Sequence, residues 1–346
     1  MKSIPAQAAT MFCKTKEESS KRNSSFELQF TLGGKFYAYG FSVLLQERKI
    51  ASEWLYELYQ NGSAKMLFER ENGEEPQLGS DIVLDKLDTL KMQTYLEDFD
   101  EKSNIFFLSF MNRGKKYDKN FKITFFKDVF AWITESLDVC TPQTSLNNFE
   151  YYYDDDSLIK INELIKTFDT GITKIGIEEI TQDELRKELP EPIFNEVMDN
   201  IKRKLEDDNI RDFKVSMQSH ESFFNIESIN GSELKVTTIK LKRGNSFYDF
   251  NFKEESDGTR RLFELLDILL NKSENKVYVI DEMERSLHPK LTSRFIELFD
   301  QMHPVQNQLI FTTHESSIMD QELFRRDEIW FVERDKDNNS NIYNIT

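Results

Sequence analysis

The feature that most restricts the fold of this chain is a short apolar run that ends in two adjacent carboxylates. Residues Val277 to Ile280 are apolar or aromatic, and Asp281 and Glu282 follow them directly. Runs of this kind are typical of a strand that is buried on both faces of a parallel sheet. Because ligands bind at the carboxyl ends of such strands, the run predicts an acidic site at a sheet edge.

Two neighbouring carboxylates at such an edge can divide the work of a hydrolytic site. One can hold Mg²⁺, and the other can orient or deprotonate an attacking water molecule. The alternative interpretation is an ordinary acidic exit from a strand, and the pair alone does not decide between the two.

A histidine follows the next short apolar run. Leu309 to Thr312 read as a second strand, and Thr313 and His314 come immediately after it. A histidine that leaves a strand beside the acidic pair can hydrogen-bond a γ-phosphate and report its presence. The alternative is a histidine with a purely structural role.

A third segment predicts a helix that begins at small and hydroxylated residues. Ser256 is a suitable N-cap, and Gly258 allows close approach to the backbone. The buried face is predicted from leucines at helical spacing, which are Leu262, Leu265, Leu266, Leu269 and Leu270. The start of such a helix can bind an anion, although a plain capped helix also fits.

These three segments occur in an order that resembles a known family. The chain is similar to the ABC/SMC-like AAA ATPases of bacterial abortive-infection and overcoming-lysogenization-defect systems. The matching strings cover most of the chain and are SFELQFTLGGKFYAYGF, ASEWLYELYQNGSAKMLFERE, SDGTRR, VYVIDEMERSLHP, LIFTTH and DEIWFVERD. The resemblance implies an ABC-type, P-loop NTPase-like α/β head with a mostly parallel sheet, an antiparallel β subdomain and a helical insertion.

The resemblance also implies roles for individual residues, with ATP and Mg²⁺ as cofactors. Asp281 would be the Walker B metal ligand, Glu282 the catalytic carboxylate and His314 the switch, and residues 286–289 would form the D-loop. The signature residues would contact the nucleotide of a second head, and they are Ser256, Gly258, Thr259 and Arg260. The implied partners are a second ATPase head and an effector such as a nuclease, in a sensor or switch of phage defence.

One expected motif does not occur in this sequence. No G-x-x-x-x-G-K-[ST] string is present, and the strings nearest to it begin at Gly33 and Gly114. Gly33-Gly34 lies between strand-like runs and predicts a hairpin turn instead. The resemblance places the phosphate loop upstream of Met1, so we expect the phosphate-loop strand and helix to be missing.

Three interpretations of that absence stay open. The chain is a shortened version of a working ATPase, one piece of a split head, or an inactive head that scaffolds a partner. Retention of Asp281, Glu282 and His314 favours the first two. A missing strand would also leave an unpaired sheet edge and an uncovered apolar face, so we expect an isolated chain to be unstable or to self-associate.

Composition limits the partners and the compartment. The chain has 346 residues and a formal net charge of −17, which argues against broad nucleic-acid binding. A local basic stripe could still bind it, although a solvent-exposed strand face explains the stripe better; its members are Lys235, Lys240, Lys242 and Arg243. Two cysteines and no apolar run of membrane-spanning length predict a cytoplasmic protein without a membrane segment.

Pattern changes along the chain predict four segments. They are an irregular segment at 1–24, an antiparallel β subdomain at 25–80, a helical insertion at 81–210 and a C-terminal ATPase lobe at 211–346. A last buried strand is also expected at residues 328–333. A nuclease site on the acidic residues after it, Glu333, Asp335 and Asp337, is the weakest functional hypothesis.

Overall fold

A computed structural model describes most of the chain as two compact units. The described residues are 4–102, 104–117, 121–142, 155–205, 213–218, 223–229, 233–303 and 307–344. The first unit comprises Met1–Leu137 and Trp330–Tyr343, and the second comprises Asp138–Ile329 and Asn344–Thr346. This division differs from the four sequence segments, whose boundaries remain a prediction.

The first unit is built on a five-stranded antiparallel meander. Its strands are β1 (Ser24–Leu32), β2 (Lys35–Leu44), β3 (Lys49–Leu58), β4 (Ala64–Glu71) and β5 (Gln77–Leu78). Each strand pairs with the next one along the chain. The predicted hairpin turn at Gly33-Gly34 is confirmed, because both glycines have positive φ, +59° and +76°. Strand β5 is only two residues long and lies at the end of the predicted β subdomain.

Three helices of the first unit supply its aromatic core. They are α1 (Lys86–Glu97), α2 (Phe107–Asn112) and α3 (Phe125–Ala131). Phe126 and Val129, two members of the predicted buried face of α3, are fully buried. The ring of Phe126 packs 5.2 Å from that of Phe68 and 5.5 Å from that of Phe107, which are both buried as well. These contacts join the helices to the sheet.

The last two strands form a hairpin that is more exposed than we predicted. Strands β14 (Trp330–Arg334) and β15 (Ser340–Asn344) pair with each other. The expectation of a buried strand is wrong, because Val332 is 70% exposed. Asp335 accepts hydrogen bonds from turn groups at the hairpin end, including the backbone N–H of Asn339. Its place in the acidic cluster is thus explained by the turn.

The second unit contains the sheet that carries the acidic pair. Strands β6 (Leu137–Cys140), β12 (Val277–Ile280) and β13 (Gln308–Phe311) lie in the order β13-β12-β6. Helix α8 (Pro289–Met302) connects β12 to β13, which pair in parallel with Val277 opposite Gln308 and Ile280 opposite Phe311. The predicted strand–helix–strand unit is confirmed, although β13 is an edge strand on which Ile310 is 46% exposed.

Helix α7 (Asp257–Leu270) is the most deeply buried helix of this region. Its five predicted core leucines are all at most 6% exposed. They form one hydrophobic cluster with strand β12 and helix α8, which they meet through Tyr278, Ile280 and Phe295. The sequence pattern thus predicted both the helix and its buried side.

A second sheet of this unit is antiparallel. Its strands are β7 (Ile172–Ile180), β8 (Phe213–Gln218), β9 (Phe223–Ile229), β10 (Glu233–Arg243) and β11 (Phe250–Asn251). They lie in the order β11-β10-β9-β8, with β7 also paired to β10. The accompanying helices are α4 (Asp155–Lys166), α5 (Gln182–Glu188) and α6 (Glu191–Leu205). The predicted capping box between Thr181 and Glu184 is present at the start of α5.

The expected fold class is confirmed in outline, because the protein is a mixed α/β structure. Strands β12 and β13 pair in parallel, as expected for the sheet that carries the acidic pair, and the other strand pairs whose register is described are antiparallel. The segment predicted as a helical insertion, 81–210, contains strands β6 and β7 as well as helices. Short turns between strands that are neighbours in sequence produce antiparallel pairs, whereas only α8 is a crossover helix between parallel strands. Within the described ranges, no helix has the length and apolarity needed to cross a membrane.

Candidate functional site

The predicted acidic pair lies in a tight turn directly after β12. The backbone N–H of Asp281 donates to the carbonyl of Cys140 over 2.8 Å, which ties the turn to β6. Glu282 and Ser286 both have positive φ, 49° and 61°, which is uncommon for residues with a side chain. Backbone strain of this kind clusters at functional sites, so the turn is a candidate site on conformational grounds as well.

Thr312 joins the two strand ends through its hydroxyl group. The hydroxyl donates to Asp281 Oδ1 over 2.6 Å and accepts from the backbone N–H of Glu282 over 2.9 Å. The backbone of Thr312 adds two more links, to Ile280 and to Met283. This one residue therefore orients a carboxylate and the turn that carries the next carboxylate.

A second side chain links the acidic turn to the histidine. Glu284 Oε1 accepts from the backbone N–H of His314 over 2.8 Å. The other oxygen of Glu284 is shielded from solvent and has no hydrogen-bond partner among the described residues. The structure thus brings Asp281, Glu282 and His314 to one edge of the sheet, as the sequence predicted.

The exposure of these groups suits a site that receives a ligand. Asp281 and His314 are exposed and Glu282 is half-buried, whereas Met283 between them is fully buried. The methionine anchors the turn in the core while the polar side chains face outward. The two carboxylates therefore lie on a turn that Met283 anchors in the core.

The start of α7 is capped as predicted. Ser256 Oγ accepts from the backbone N–H of Thr259 over 3.2 Å and lies 3.1 Å from the Thr259 hydroxyl. Because Thr259 is only 7% exposed, its hydroxyl contacts the N-cap residue Ser256 instead of solvent. Arg260 donates two hydrogen bonds to the carbonyl of Glu255, over 3.1 and 2.8 Å. Of the four proposed signature residues, Ser256 is exposed, Gly258 and Arg260 are half-buried, and Thr259 is buried.

Gly258 brings the start of α7 against the acidic turn. A Cβ atom at this position would lie 2.4 Å from the backbone oxygen of Ser286, closer than atoms can approach. The glycine is therefore required for this contact between the signature segment and the segment predicted as a D-loop. We expected Gly258 to allow a ligand close to the backbone; the structure shows the turn there instead.

A buried ion pair fixes the residue just before the helix cap. Glu255 is 3% exposed and forms an ion pair with Arg243. The same arginine donates to the carbonyl of Thr170 over 2.9 Å, and the hydrogen bond to Glu255 raises the pKa of the guanidinium. The end of β10 thereby supports the start of α7.

This ion pair also bears on the basic stripe of β10. Lys240 lies 2.9 Å from Glu178, and Lys235 lies 3.9 Å from Glu179. With Arg243 engaged by Glu255, three of the four cations have acidic neighbours. The structure therefore favours the interpretation of the stripe as an ion-paired strand face.

The end of the predicted D-loop starts the crossover helix. His288 is the N-cap of α8, and its Nδ1 accepts from the backbone N–H of Lys290 over 3.2 Å. Pro289 occupies the first helical position, where its missing N–H has no consequence. The segment 286–289 therefore combines a strained turn with a helix start.

The donor set at the turn fits Mg²⁺ in its usual manner of binding. Its accessible ligands are the oxygens of two carboxylates and one hydroxyl, from Asp281, Glu282 and Thr312. In the described part of the chain, no group of three histidine, cysteine or acidic side chains could enclose a metal ion. Mg²⁺ commonly binds to one or two carboxylates and completes its shell with water and phosphate oxygens. The residues fit that mode.

Two grooves elsewhere do not contain these groups. One of about 990 Å³ in the first unit is lined by residues that include Lys35, Tyr37 and Trp132. Another of about 470 Å³ in the second unit is lined by residues that include Lys160, Asn271 and His303. Neither has acids, a histidine and a strained turn together, so chemistry identifies the site better than concavity does.

Sequence reasoning missed two residues of this arrangement, Thr312 and Glu284. Thr312 was the last residue of a predicted strand, parallel to one that ends in Asp281. A hydroxyl at the neighbouring strand end was therefore a readable signal. Glu284 gave no such signal, because its contact depends on the fold of the turn.

The chain is similar to one family model and to solved structures. Residues 97–320 match the family model described as "AAA domain, putative AbiEii toxin, Type IV TA system". A solved structure of an SmcHead bound to the C-winged helix domain of ScpA is similar at 11% identity and a TM-score of 0.30, over 90% of this chain and 75% of that one. None of the curated proteins matches the chain.

The chain is an ATPase-type α/β domain. This class follows from the family match, together with the acidic strand end and the neighbouring histidine. The match spans 224 of the 346 residues and includes α7, the acidic turn and His314. The chain therefore belongs to the family of AAA domains that this model describes. Proteins of this family generally use ATP and Mg²⁺.

Proposed function

We propose that this chain is an ATP-binding and ATP-hydrolysing head, in which the acidic turn and His314 act on the terminal phosphate. The observation that carries the proposal is the linkage of Asp281, Glu282 and His314 at the ends of two adjacent parallel strands. Thr312 and Glu284 hold that linkage over 2.6 to 2.9 Å. Family membership supports the same chemistry.

Each residue has a distinct role in this proposal. The Asp281 carboxylate, oriented by Thr312, would hold Mg²⁺, which neutralises charge on the phosphate oxygens. Glu282 accepts a hydrogen bond from the attacking water and places it in line with the terminal phosphate. The His314 imidazole hydrogen-bonds a terminal phosphate oxygen.

The signature segment supports a paired arrangement of heads. Ser256 is exposed and Arg260 is half-buried at the start of α7, where the helix N-terminus favours an anion. We propose that they serve the nucleotide of a second head, either another copy or a related chain. We also propose, on the family resemblance, a switch role in bacterial phage defence with a separate effector such as a nuclease.

An inactive scaffold is the second candidate function. The observation that favours it is the absence of a G-x-x-x-x-G-K-[ST] string from the sequence. Under the main proposal, phosphate-binding groups from outside the segments described here complete the site. Under the alternative, the same fold binds a partner without nucleotide turnover.

Binding and hydrolysis of Mg-ATP test the proposal directly. Equilibrium binding of labelled ATP with Mg²⁺ or with EDTA should show a Mg²⁺-dependent complex, with the chain alone and with a second head added. Glu282→Gln should retain binding and lower the hydrolysis rate by about 10²–10⁴-fold, the range for a lost general base. Asp281→Asn should remove the Mg²⁺ dependence.

A matched control separates chemistry from folding in this test. Glu297 lies on α8 in a half-exposed ion pair with Arg294, so Glu297→Gln should leave binding and hydrolysis unchanged. Absence of Mg²⁺-dependent ATP binding in every combination would overturn the enzyme proposal and leave the scaffold.

A further inference from the structure

We infer that Glu284 is a positioning residue that sets where His314 stands relative to the acidic pair. The inference deepens the proposed function, on which its functional meaning rests. It assigns a role to a third carboxylate of the turn, one that neither binds the metal nor orients water.

The first observation is the contact itself. Glu284 Oε1 accepts from the His314 backbone N–H over 2.8 Å, and the two residues are 30 positions apart. The bond is charge-assisted, because the acceptor is a carboxylate, and such bonds are roughly twice as strong as neutral ones. It therefore fixes the backbone of the histidine without involving the imidazole.

The second observation is the direction in which Glu284 points. Its Oε2 atom is shielded from solvent, whereas the carboxylate of Asp281 belongs to an exposed residue. A buried oxygen cannot reach a metal ion or a water molecule at the surface of the turn. Glu284 therefore has one oxygen engaged by His314 and the other turned away from solvent, whereas Asp281 is an exposed residue.

The third observation is the way the two strand ends are joined. Thr312 holds them together close to the strands, through Asp281 and Glu282. Beyond Thr312, the chain leaves the sheet without a strand partner until the short 3-10 turn Ser316–Ile318. Glu284 links the acidic turn to this stretch at His314, the residue whose imidazole is proposed to contact the phosphate.

Removal of the link should therefore move His314 while the acidic pair stays in place. Glu284→Ala deletes the acceptor, and Glu284→Gln keeps an amide oxygen that can accept the same N–H. A merely structural role would predict similar losses for the two variants. A positioning role predicts that the glutamine variant restores the behaviour of His314.

The decisive measurement is the exchange rate of the His314 backbone amide by NMR, together with the side-chain signals of this histidine. In Glu284→Ala the amide should exchange about ten- to a hundredfold faster, as expected for loss of a hydrogen bond to a charged group. The imidazole signals should shift, and Glu284→Gln should return both observables toward wild type. Glu297→Ala is the matched control on α8 and should change neither.

A second arm measures Mg-ATP affinity of the same variants. Glu284→Ala should bind about tenfold more weakly than wild type, which corresponds to about 1.4 kcal/mol, and Glu284→Gln should bind nearly as well as wild type. Unchanged His314 exchange and imidazole signals in Glu284→Ala would overturn the inference. Absence of Mg-ATP binding by the wild type would instead overturn the proposed function, and the exchange arm would still decide whether Glu284 positions His314.

Discussion

Two carboxylates of this protein, one in each unit, have opposite surroundings. Glu53, in the first unit, is completely buried and accepts from the Tyr39 hydroxyl and from the backbone N–H groups of Phe107 and Leu108, over 3.0, 2.5 and 3.0 Å. Asp281, in the second unit, is exposed, and one of its oxygens accepts from Thr312. The Glu53 carboxylate therefore accepts hydrogen bonds from donors inside the protein, whereas the Asp281 carboxylate is accessible to a ligand.

The difference teaches how to separate a structural acid from a candidate ligand. A buried carboxylate requires several donors, because an uncompensated charge in the interior costs several kcal/mol. Glu53 meets that requirement, and its hydrogen bonds link strand β3 to the start of α2. An exposed carboxylate on a strained turn has no such requirement, so Asp281 is a candidate ligand residue.

The largest effect should come from deletion of each acid in turn. Glu53→Ala should lower the free energy of unfolding of the first unit by about 3–5 kcal/mol, since it leaves the Tyr39 hydroxyl and two backbone donors without their acceptor and removes the buried charge opposite Arg70. Asp281→Ala should cost less than about 1 kcal/mol, as for an exposed residue. All three tryptophans lie in the first unit, so tryptophan fluorescence during urea unfolding reports on Glu53→Ala, and far-UV circular dichroism during the same unfolding, which follows both units, reports on Asp281→Ala. Equal losses in the two variants would break the comparison.

A pH series sharpens the same contrast. Burial raises the pKa of Glu53 to about 7, above its unfolded value of 4.5. The folded state therefore holds a proton that the unfolded state releases between those values, and the stabilisation present below pH 4.5 is lost as the pH rises through 7. The unfolding free energy of the first unit should fall by on the order of 1–3 kcal/mol over this window.

Glu53→Gln is the control for the pH series, because it removes the titrating group and keeps the shape. Its unfolding free energy, followed by the same fluorescence signal, should vary less between pH 4.5 and 7 than that of the wild type. A pH dependence identical to that of the wild type would assign the effect to other groups.

Much of the second unit could be predicted because its signals are local. The apolar run before Asp281, the leucines of α7 and the cap at Ser256 each depend on residues that are close in sequence. Those segments form where predicted, and the crossover helix between the two strands follows from their spacing. The resemblance to known ATPases added the roles, which remain proposals.

What sequence reasoning could not reach depends on contacts between distant positions. Strand β6 was read as the end of a helical stretch, because its pairing with β12 joins residues about 140 positions apart. The contact of Gly258 with Ser286 and that of Glu284 with His314 have the same origin. The exposed hairpin of β14 and β15 was predicted as buried because apolar composition does not reveal what covers a strand.

A glycine pair tests whether the two halves of the site are in contact. Gly258→Ala should destabilise the second unit by about 1–3 kcal/mol, because the new methyl group would overlap the Ser286 carbonyl. Gly176→Ala is the matched control, since nothing lies within 4 Å of its added Cβ. Hydrogen exchange of the segments around Ser256 and Ser286 should increase in the first variant only. An unchanged pattern in Gly258→Ala would show that the two segments are not packed together.

The smallest expected effect concerns the hydroxyl of Thr312, on which the exposed half of the comparison depends. Thr312→Val removes one donor and one acceptor at the strand ends, so it should cost about 1 kcal/mol and speed exchange of the Glu282 amide severalfold. Thr312→Ser keeps the hydroxyl and should restore slow exchange, while Thr313→Val should leave the Glu282 amide unaffected, because the Thr313 hydroxyl accepts from Glu315 instead. If the Glu282 amide of the valine variant exchanges like that of the wild type, Asp281 and Glu282 are held by backbone geometry alone. The Thr312 hydroxyl would then have no part in preorganising the acidic pair.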